Sequence, residues 1–493
     1  MHFAELLDDR AARDPHGPAL ADEYNGQLTN ARLLQRVENA AARLAQAGVR
    51  AGDVVAVKLP NRVELVVALF AAWRLGAAAT PVNPFLTSTE VDYQLGDAAA
   101  RVVVCDDAAT PDSGCAVVGM AELSEPAGPA TGSVVVSDHA VALLVYTSGT
   151  TGRPKGVELT HANIMAMAQS MIEFVGMSAD SHSLLVLPLF HVNGIVVSIL
   201  APLLAGGQAT VAGRFNPTTF FDIVEQVRPT TFSAVPTIYG KLAALPSEVV
   251  PDTSSLRYAV CGAAPMPIEL IRRFEQRYNV PIIEGYGLSE GTCASTSNPL
   301  DGVRKPGTVG LALPGIQVAV MDEHGKLVAD GSPGEVVIQG PTVMRGYLNR
   351  PVETAKTIVD GWLHTGDIGV LDADGYLTLV DRAKDMIIRG GENIYPKEIE
   401  SVLYSHPAVH ETGVVGRPDP VYGEVPVAFV SLRGDADVTP DGLREHLQVR
   451  LAKYKLPADI IVVDDLPKNP VGKIDKPGLR SQFVQTDICF STR

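Results

Sequence analysis

Twelve consecutive residues, Tyr146-Thr147-Ser148-Gly149-Thr150-Thr151-Gly152-Arg153-Pro154-Lys155-Gly156-Val157, bring together three glycines, four serine or threonine hydroxyls and two cations. Successive backbone N–H groups converge on an anion only where side chains leave room, so this composition describes a phosphate cradle. A plain surface turn would be as glycine-rich, but it has no need of the paired cations Arg153 and Lys155. A Walker loop is excluded by spacing, because Lys155 is followed by Gly156 where that motif requires a hydroxyl and a helix. The apolar runs 141–145 and 156–159 on either side predict a strand-to-strand turn, with a helix starting near Thr160.

Three further stretches carry chemistry-bearing side chains. Gly285-Tyr286-Gly287-Leu288-Ser289-Glu290 places an aromatic face between glycines, then a hydroxyl and a carboxylate. An adenine can stack on such a ring, and such a carboxylate can hold Mg²⁺ beside phosphates, although a β-turn ending in a solvated glutamate has the same pattern. Thr365-Gly366-Asp367 offers a carboxylate suited to ribose hydroxyls, or is a simple Gly-Asp turn. Pro470-Val471-Gly472-Lys473-Ile474 presents a lysine on a glycine-flexed loop, the ordinary reading of which is a solvated side chain.

These residues sit in a chain of 493 residues with 46% apolar content, long enough for two to four domains with full cores. The formal charge of −16 and the pI near 5.1 repel nucleic acid and anionic membranes, so an anionic ligand must be met by local cations such as Arg153 and Lys155. The five cysteines, at 105, 115, 261, 293 and 489, form no Cys-x-x-Cys pair and show no histidine clustering, which argues against zinc and against a disulfide framework. Cys261 and Cys293 read as small packing residues rather than nucleophiles. The charged N-terminus does not resemble a signal peptide, and no apolar run reaches the length of a membrane span. The expected location is cytoplasmic.

Positioning these groups requires an α/β framework. From about residue 30, helices ending at Gly48 and Gly76 alternate with strands at 54–59, 79–82 and 101–105, and Thr87 with Glu90 has capping-box spacing. The segment 106–136 reads as a loop-rich connection. A second series follows, with strands near 184–187, 208–211, 231–235, 258–261 and 281–283 and a helix from Pro267 to Tyr278. From Gly307 short strands alternate with Pro-Gly, His-Gly and Asp-Gly turns, as in 318–321 and 334–338. After Asp381 come a short apolar run at 386–391, a helix at 397–404, strands at 411–415 and 425–432, and a helix at 441–452. The expected fold is α/β: a large N-terminal body of two α/β layer systems plus a small β-barrel-like part, residues 1–381, followed by a small mobile α+β C-terminal domain, 382–480. Residues 481–493 show no pattern and read as a tail.

In this order the motifs resemble the adenylate-forming superfamily of acyl-CoA synthetases, 4-coumarate-CoA ligases, adenylation domains and luciferases, and in particular bacterial fatty or aromatic acid–CoA ligases. The resemblance covers about residues 10 to 480 and rests on 146–157, Phe190-His191-Val192-Asn193-Gly194, 284–290, 365–367, 381–391 and 470–474. It implies two half-reactions. A carboxylate attacks the α-phosphate of ATP and expels pyrophosphate, and a thiol, that of coenzyme A, then displaces AMP. Thr147, Ser148, Gly149, Thr150, Thr151, Gly152 and Lys155 would wrap the outer phosphates, with Mg²⁺ on Glu290 and the α-phosphate on Ser289, where relatives more often have threonine. The resemblance places adenine near Gly262, Ala263, Ala264, Tyr286 and Gly287, ribose on Asp367 beside Arg382, and Lys473 between substrate carboxylate and α-phosphate. Lys384 takes the hinge position, Gly390 and Gly391 face the thiol tunnel, and His191 stands where the acid pocket meets that tunnel.

The implied acid pocket comprises His191, Val192, Asn193, Gly194, Ser233, Gly287 and Thr292, mostly small and uncharged. Amino-acid-activating relatives carry Asp where Val192 stands. Malonate-activating relatives carry a second His at Asn193 and an Arg at Gly285. A monocarboxylic acid is therefore expected, transferred to CoA. The alternatives are a stand-alone enzyme loading an acyl carrier protein, a dicarboxylate-activating ligase, and a noncatalytic nucleotide-binding regulator.

Overall fold

The computed structural model describes residues 2–106, 114–125, 133–147, 154–264, 266–382, 385–389, 392–434, 436, 438–468 and 474–487. The chain divides into two compact units, Met1–Val318 with Val337–His364, and Ala319–Val336 with Thr365–Arg493.

The first unit is built on two mixed sheets. One has seven strands in the order Gly346–Tyr347, Lys155–Thr160, Val141–Thr147, Ala78–Pro81, Val54–Lys58, Val102–Cys105 and Ala116–Gly119. Its inner strands run parallel and are nearly continuous in Val and Ala, as strands buried on both faces must be. The helix between two of them, Val63–Arg74, is buried on every side, so it carries no polar face. The other sheet has nine strands, with the parallel core Ile282–Tyr286, Tyr258–Cys261, Thr231–Ala234, His182–Leu185, Gln208–Val211 and Pro18–Asp22. Phe220, Phe232, Tyr239 and Phe274 fill the helix layer on it.

Local chemistry starts the helices where expected. Thr87 and Glu90 close a reciprocal capping box on Ser88–Asp97, and Thr160 caps His161–Val175 by accepting from Asn163 N. Within the segment 106–136, expected to be a loop, residues 116–124 are regular: Ala116–Gly119 pairs in parallel with Val102–Cys105 and a 3₁₀ turn, Met120–Ser124, follows. Its strand is an edge strand of four residues, too short to show a period.

The strand Trp362–Leu371, most of it in the second unit, turns back on Leu377–Arg382, aligning Asp367 with Arg382. Beyond it, Gly423–Leu432 pairs with Val409–Asp419, Ile387–Arg389 and Asp459–Val462. The helix Pro396–Tyr404 covers one face, with Ile399 and Leu403 fully buried. The expected helix at 441–452 is shorter, Pro440–Gln448. The supposed tail is corrected too: a helix, Lys476–Asp487, runs through its first half, with Leu479 and Phe483 packed on Val415, Val427 and Phe429.

Candidate active site

The glycine-rich segment spans a β-hairpin. Val141–Thr147 pairs antiparallel with Lys155–Thr160, setting Thr147 opposite Lys155 and Tyr146 opposite Gly156. Ser148, Gly149, Thr150, Thr151, Gly152 and Arg153, the rest of the expected cradle, lie outside the described residues. The flanks are braced. Tyr146 Oη donates to Asp97 Oδ2 at 2.9 Å, and burial, with Asp97 second, pushes the phenol pKa well up. Tyr93 Oη donates to Pro154 O at 3.0 Å and accepts from Arg350 Nη2 at 3.1 Å.

A third strand extends this hairpin. Gly346–Tyr347 pairs antiparallel with Lys155–Thr160, with Tyr347 opposite Val157. Opposed residues share a sheet face and the side-chain period is two, so Tyr347, Lys155 and Thr147 project on one side. Lys155 Nζ accordingly stands 5.0 Å from the Tyr347 ring centre.

Glu290 reaches the same place from the other sheet. It sits in a short 3₁₀ turn, Ser289–Gly291, after the strand Ile282–Tyr286. Tyr347 Oη donates to Glu290 Oε1 at 2.9 Å, and Met344 N donates to Glu290 O at 2.8 Å. The structure thus joins the Glu290 turn to the phosphate-loop hairpin through 344–347. Tyr347, Tyr93, Asp97 and Arg350 were not singled out by sequence reasoning; a lone Arg-Gly-Tyr carries no signal for a role set by tertiary pairing.

The expected adenine and acid residues gather at the carboxyl ends of the parallel strands, the usual crevice of open α/β sheets. Ser233 is buried between Leu185 and Val260, and Gly262 N donates to Ala234 O at 3.4 Å. Ala263 has a left-handed backbone, φ 69°. Tyr286 is buried. A Cβ at Gly287 would stand 1.9 Å from Cys293 O, so the chain passes there only as glycine. Thr292 is fully buried and donates to Thr342 O, packing the turn.

The His191 ring lies 4.6 Å from that of Phe190, tilted by 53°, and His191 O accepts from Ile195 N at 3.3 Å at the start of Asn193–Leu200. That segment is π-helical, a rare wide form frequent at functional sites. Val192 is buried, and a Cβ at Gly194 would stand 2.9 Å from Pro188 O. Asn193 hydrogen-bonds the Cys293 thiol, which burial pushes up to about 12, and burial raises Cys261 well above the usual thiol range. Both thiols are held protonated, as packing groups are.

In the second unit Asp367 is buried, its backbone N–H on Thr365 Oγ1 at 3.1 Å; Gly366, φ 69°, donates to Glu335 Oε1. The Arg382 side chain, Lys384, Gly390, Gly391 and Lys473 lie outside the described residues. Lys468 and Ile474, which bracket the Lys473 segment, form an antiparallel bridge, and Lys468 Nζ is 2.9 Å from Glu411 Oε2.

Among the described residues no group of three or more His, Cys, Asp or Glu side chains could cage a metal, and no helix is long and apolar enough to cross a membrane. A carboxylate such as Glu290 suits Mg²⁺ all the same, because that ion takes one or two carboxylates and completes its shell from phosphates and water.

Residues 7–348 match the AMP-binding enzyme family, and residues 398–473 match the AMP-binding enzyme C-terminal domain. The feruloyl-CoA synthase of Amycolatopsis sp is 39% identical over 96% of this chain and 97% of its own. The oxalate–CoA ligase of Arabidopsis thaliana is 35% identical over 97% and 98%. The crystal structure of ATP-bound MatB from Rhodopseudomonas palustris superposes with a TM-score of 0.92 at 33% identity, over 98% of this chain and 99% of that one. The chain therefore belongs to the AMP-binding enzyme family, as an adenylate-forming acid–CoA ligase.

Proposed function

We propose that this ligase activates a monocarboxylic acid, aliphatic or aromatic, with ATP and transfers the acyl group to coenzyme A, in the cytoplasm. The observation that supports the ATP half most is the union of Lys155, Tyr347 and Glu290, which sets a cation and a carboxylate beside one glycine-rich hairpin. On this reading Thr147 to Lys155 hold the outer phosphates, the Ser289 hydroxyl binds the α-phosphate, and Glu290 holds Mg²⁺. When bound, Mg²⁺ neutralises charge developing on the phosphates.

Asp367 would take the ribose hydroxyls with Arg382 beside it, Gly262 to Ala264 with Tyr286 and Gly287 would surround the adenine, and Lys473 would bridge carboxylate and α-phosphate. After pyrophosphate leaves, rotation about Lys384 would bring Gly390 and Gly391 to the thiol tunnel beside His191, letting the thiol displace AMP from the acyl-adenylate.

The acid class rests on the pocket residues. Asn193 and Gly285 supply neither the His nor the Arg that would pair a second carboxylate, and Val192 supplies no Asp to hold an ammonium. A relative named for feruloyl-CoA synthesis supports an aromatic acid in particular. The test is a pyrophosphate-release screen over carboxylic acids of graded length and polarity, run without thiol, with CoA, and with a phosphopantetheinylated carrier protein. Turnover of aryl or alkyl monocarboxylates that needs free CoA is expected. Preference for dicarboxylates would reject the acid class, and product only with the carrier would reject CoA as acceptor.

A further inference from the structure

Tyr347 meets two opposite charges and engages each with a different part of its side chain. Its hydroxyl donates to Glu290 Oε1 at 2.9 Å, and its ring carries Lys155 Nζ at 5.0 Å. The hydroxyl has one proton, and that proton is given to Glu290. The backbone is fixed as well. Tyr347 N donates to Thr354 Oγ1 at 2.9 Å, and that hydroxyl donates to Arg350 O at 2.9 Å. Strand pairing to Glu158 and Val157 sets the face on which the ring projects.

We propose that Tyr347 is a positioning residue for the nucleotide–metal site: its hydroxyl orients the Glu290 carboxylate and its ring face holds the Lys155 ammonium. Two physical effects follow. A hydrogen bond to a charged acceptor removes the rotational freedom of the carboxylate, leaving it aimed for a metal ion. An ammonium held over the ring face while the carboxylate is held at the hydroxyl keeps the two from neutralising each other in a direct ion pair, so both remain for a ligand of mixed charge, an anionic phosphate chain carrying a divalent cation. Core packing does not explain the residue by itself, because the ring is only half-buried and a phenylalanine would fill the same space.

The inference rests on Glu290 as the metal-holding carboxylate, so Glu290→Gln is the reference variant. The purified full chain and the variants Tyr347→Phe and Glu290→Gln are titrated with ATP by calorimetry, with metal chelated and again with excess Mg²⁺; with Mn²⁺ in its place, electron paramagnetic resonance counts the bound ion. Tyr347→Phe is expected to weaken metal-linked ATP binding about tenfold, the change brought by losing one hydrogen bond to a charged group. Metal-free ATP affinity and the melting temperature should stay unchanged. Wild-type metal-linked binding in Tyr347→Phe, with loss in Glu290→Gln, would overturn the proposal. Equal weakening with and without metal, together with a lowered melting temperature, would also overturn it, because the hydroxyl would then be structural only. Wild-type binding in both variants would remove the Glu290 reading and the proposal with it.

Discussion

Gly287 has no room for a methyl group, since its Cβ would fall 1.9 Å from Cys293 O and 2.7 Å from Ala294 Cα, both in the backbone of the turn that holds Thr292 and Cys293 at positive φ. Neither neighbour is a flexible side-chain end that can swing away. Gly287→Ala is therefore expected to lower the stability of the first unit by about 1–3 kcal/mol, the usual result of overpacking, visible as a fall in the urea midpoint at unchanged slope. A midpoint equal to wild type would show that the 292–294 turn yields. The Gly-Tyr-Gly spacing was readable in the chain as a turn next to an aromatic ring. The reason for its second glycine was not, because the obstructing carbonyl lies six residues on and meets it only through the fold.

At the scale of elements, what could be read depended on how much apolar periodicity each segment carries. Buried parallel strands such as Val102–Cys105 and amphipathic helices such as Ile268–Tyr278 announce themselves within one element. The helix Lys476–Asp487 does not, because its inward face is little more than the i, i+4 pair Leu479 and Phe483, and its other ties are long-range: Lys476 to Glu400 at 2.9 Å and Arg480 to Asp385 at 2.9 Å. The π-helical turn at Asn193–Leu200 left no trace either, since a largely apolar run has the same look in any helical form. Leu479 is 1% exposed against Val415, Val427, Phe429 and Leu466. Leu479→Ala should cost the second unit about 2–4 kcal/mol by leaving a cavity, measured by thermal unfolding of the full chain, whereas an unshifted transition would mean the helix is dispensable to that core.

Across the whole molecule the excess of negative charge makes each placed cation count. With a formal charge of −16, an anionic nucleotide is drawn only by local groups, and two of the candidates named for its phosphates, Lys155 and Lys473, belong to different compact units. Lys155 is anchored in a hairpin and held over Tyr347. Lys473 follows Lys468, whose bridge to Ile474 and ion pair with Glu411 bind the flanks of its segment to the second unit's own sheet. A cation carried by a separate unit can serve one half-reaction and leave before the next, which one fixed in the first unit cannot do. Lys473→Ala is thus expected to depress acid-dependent pyrophosphate exchange by about a hundredfold or more, the scale seen when one stabilising group for transition-state charge is removed. The same variant should convert a supplied acyl-adenylate and CoA to thioester at a rate close to wild type, because on the proposed rotation about Lys384 Lys473 has left the acyl-adenylate before the thiol displaces AMP. Both rates are read from one preparation by isotope exchange and by thiol consumption. Equal loss in the two assays would mean that Lys473 supports the fold or both steps alike, and the division of labour between the units would fall.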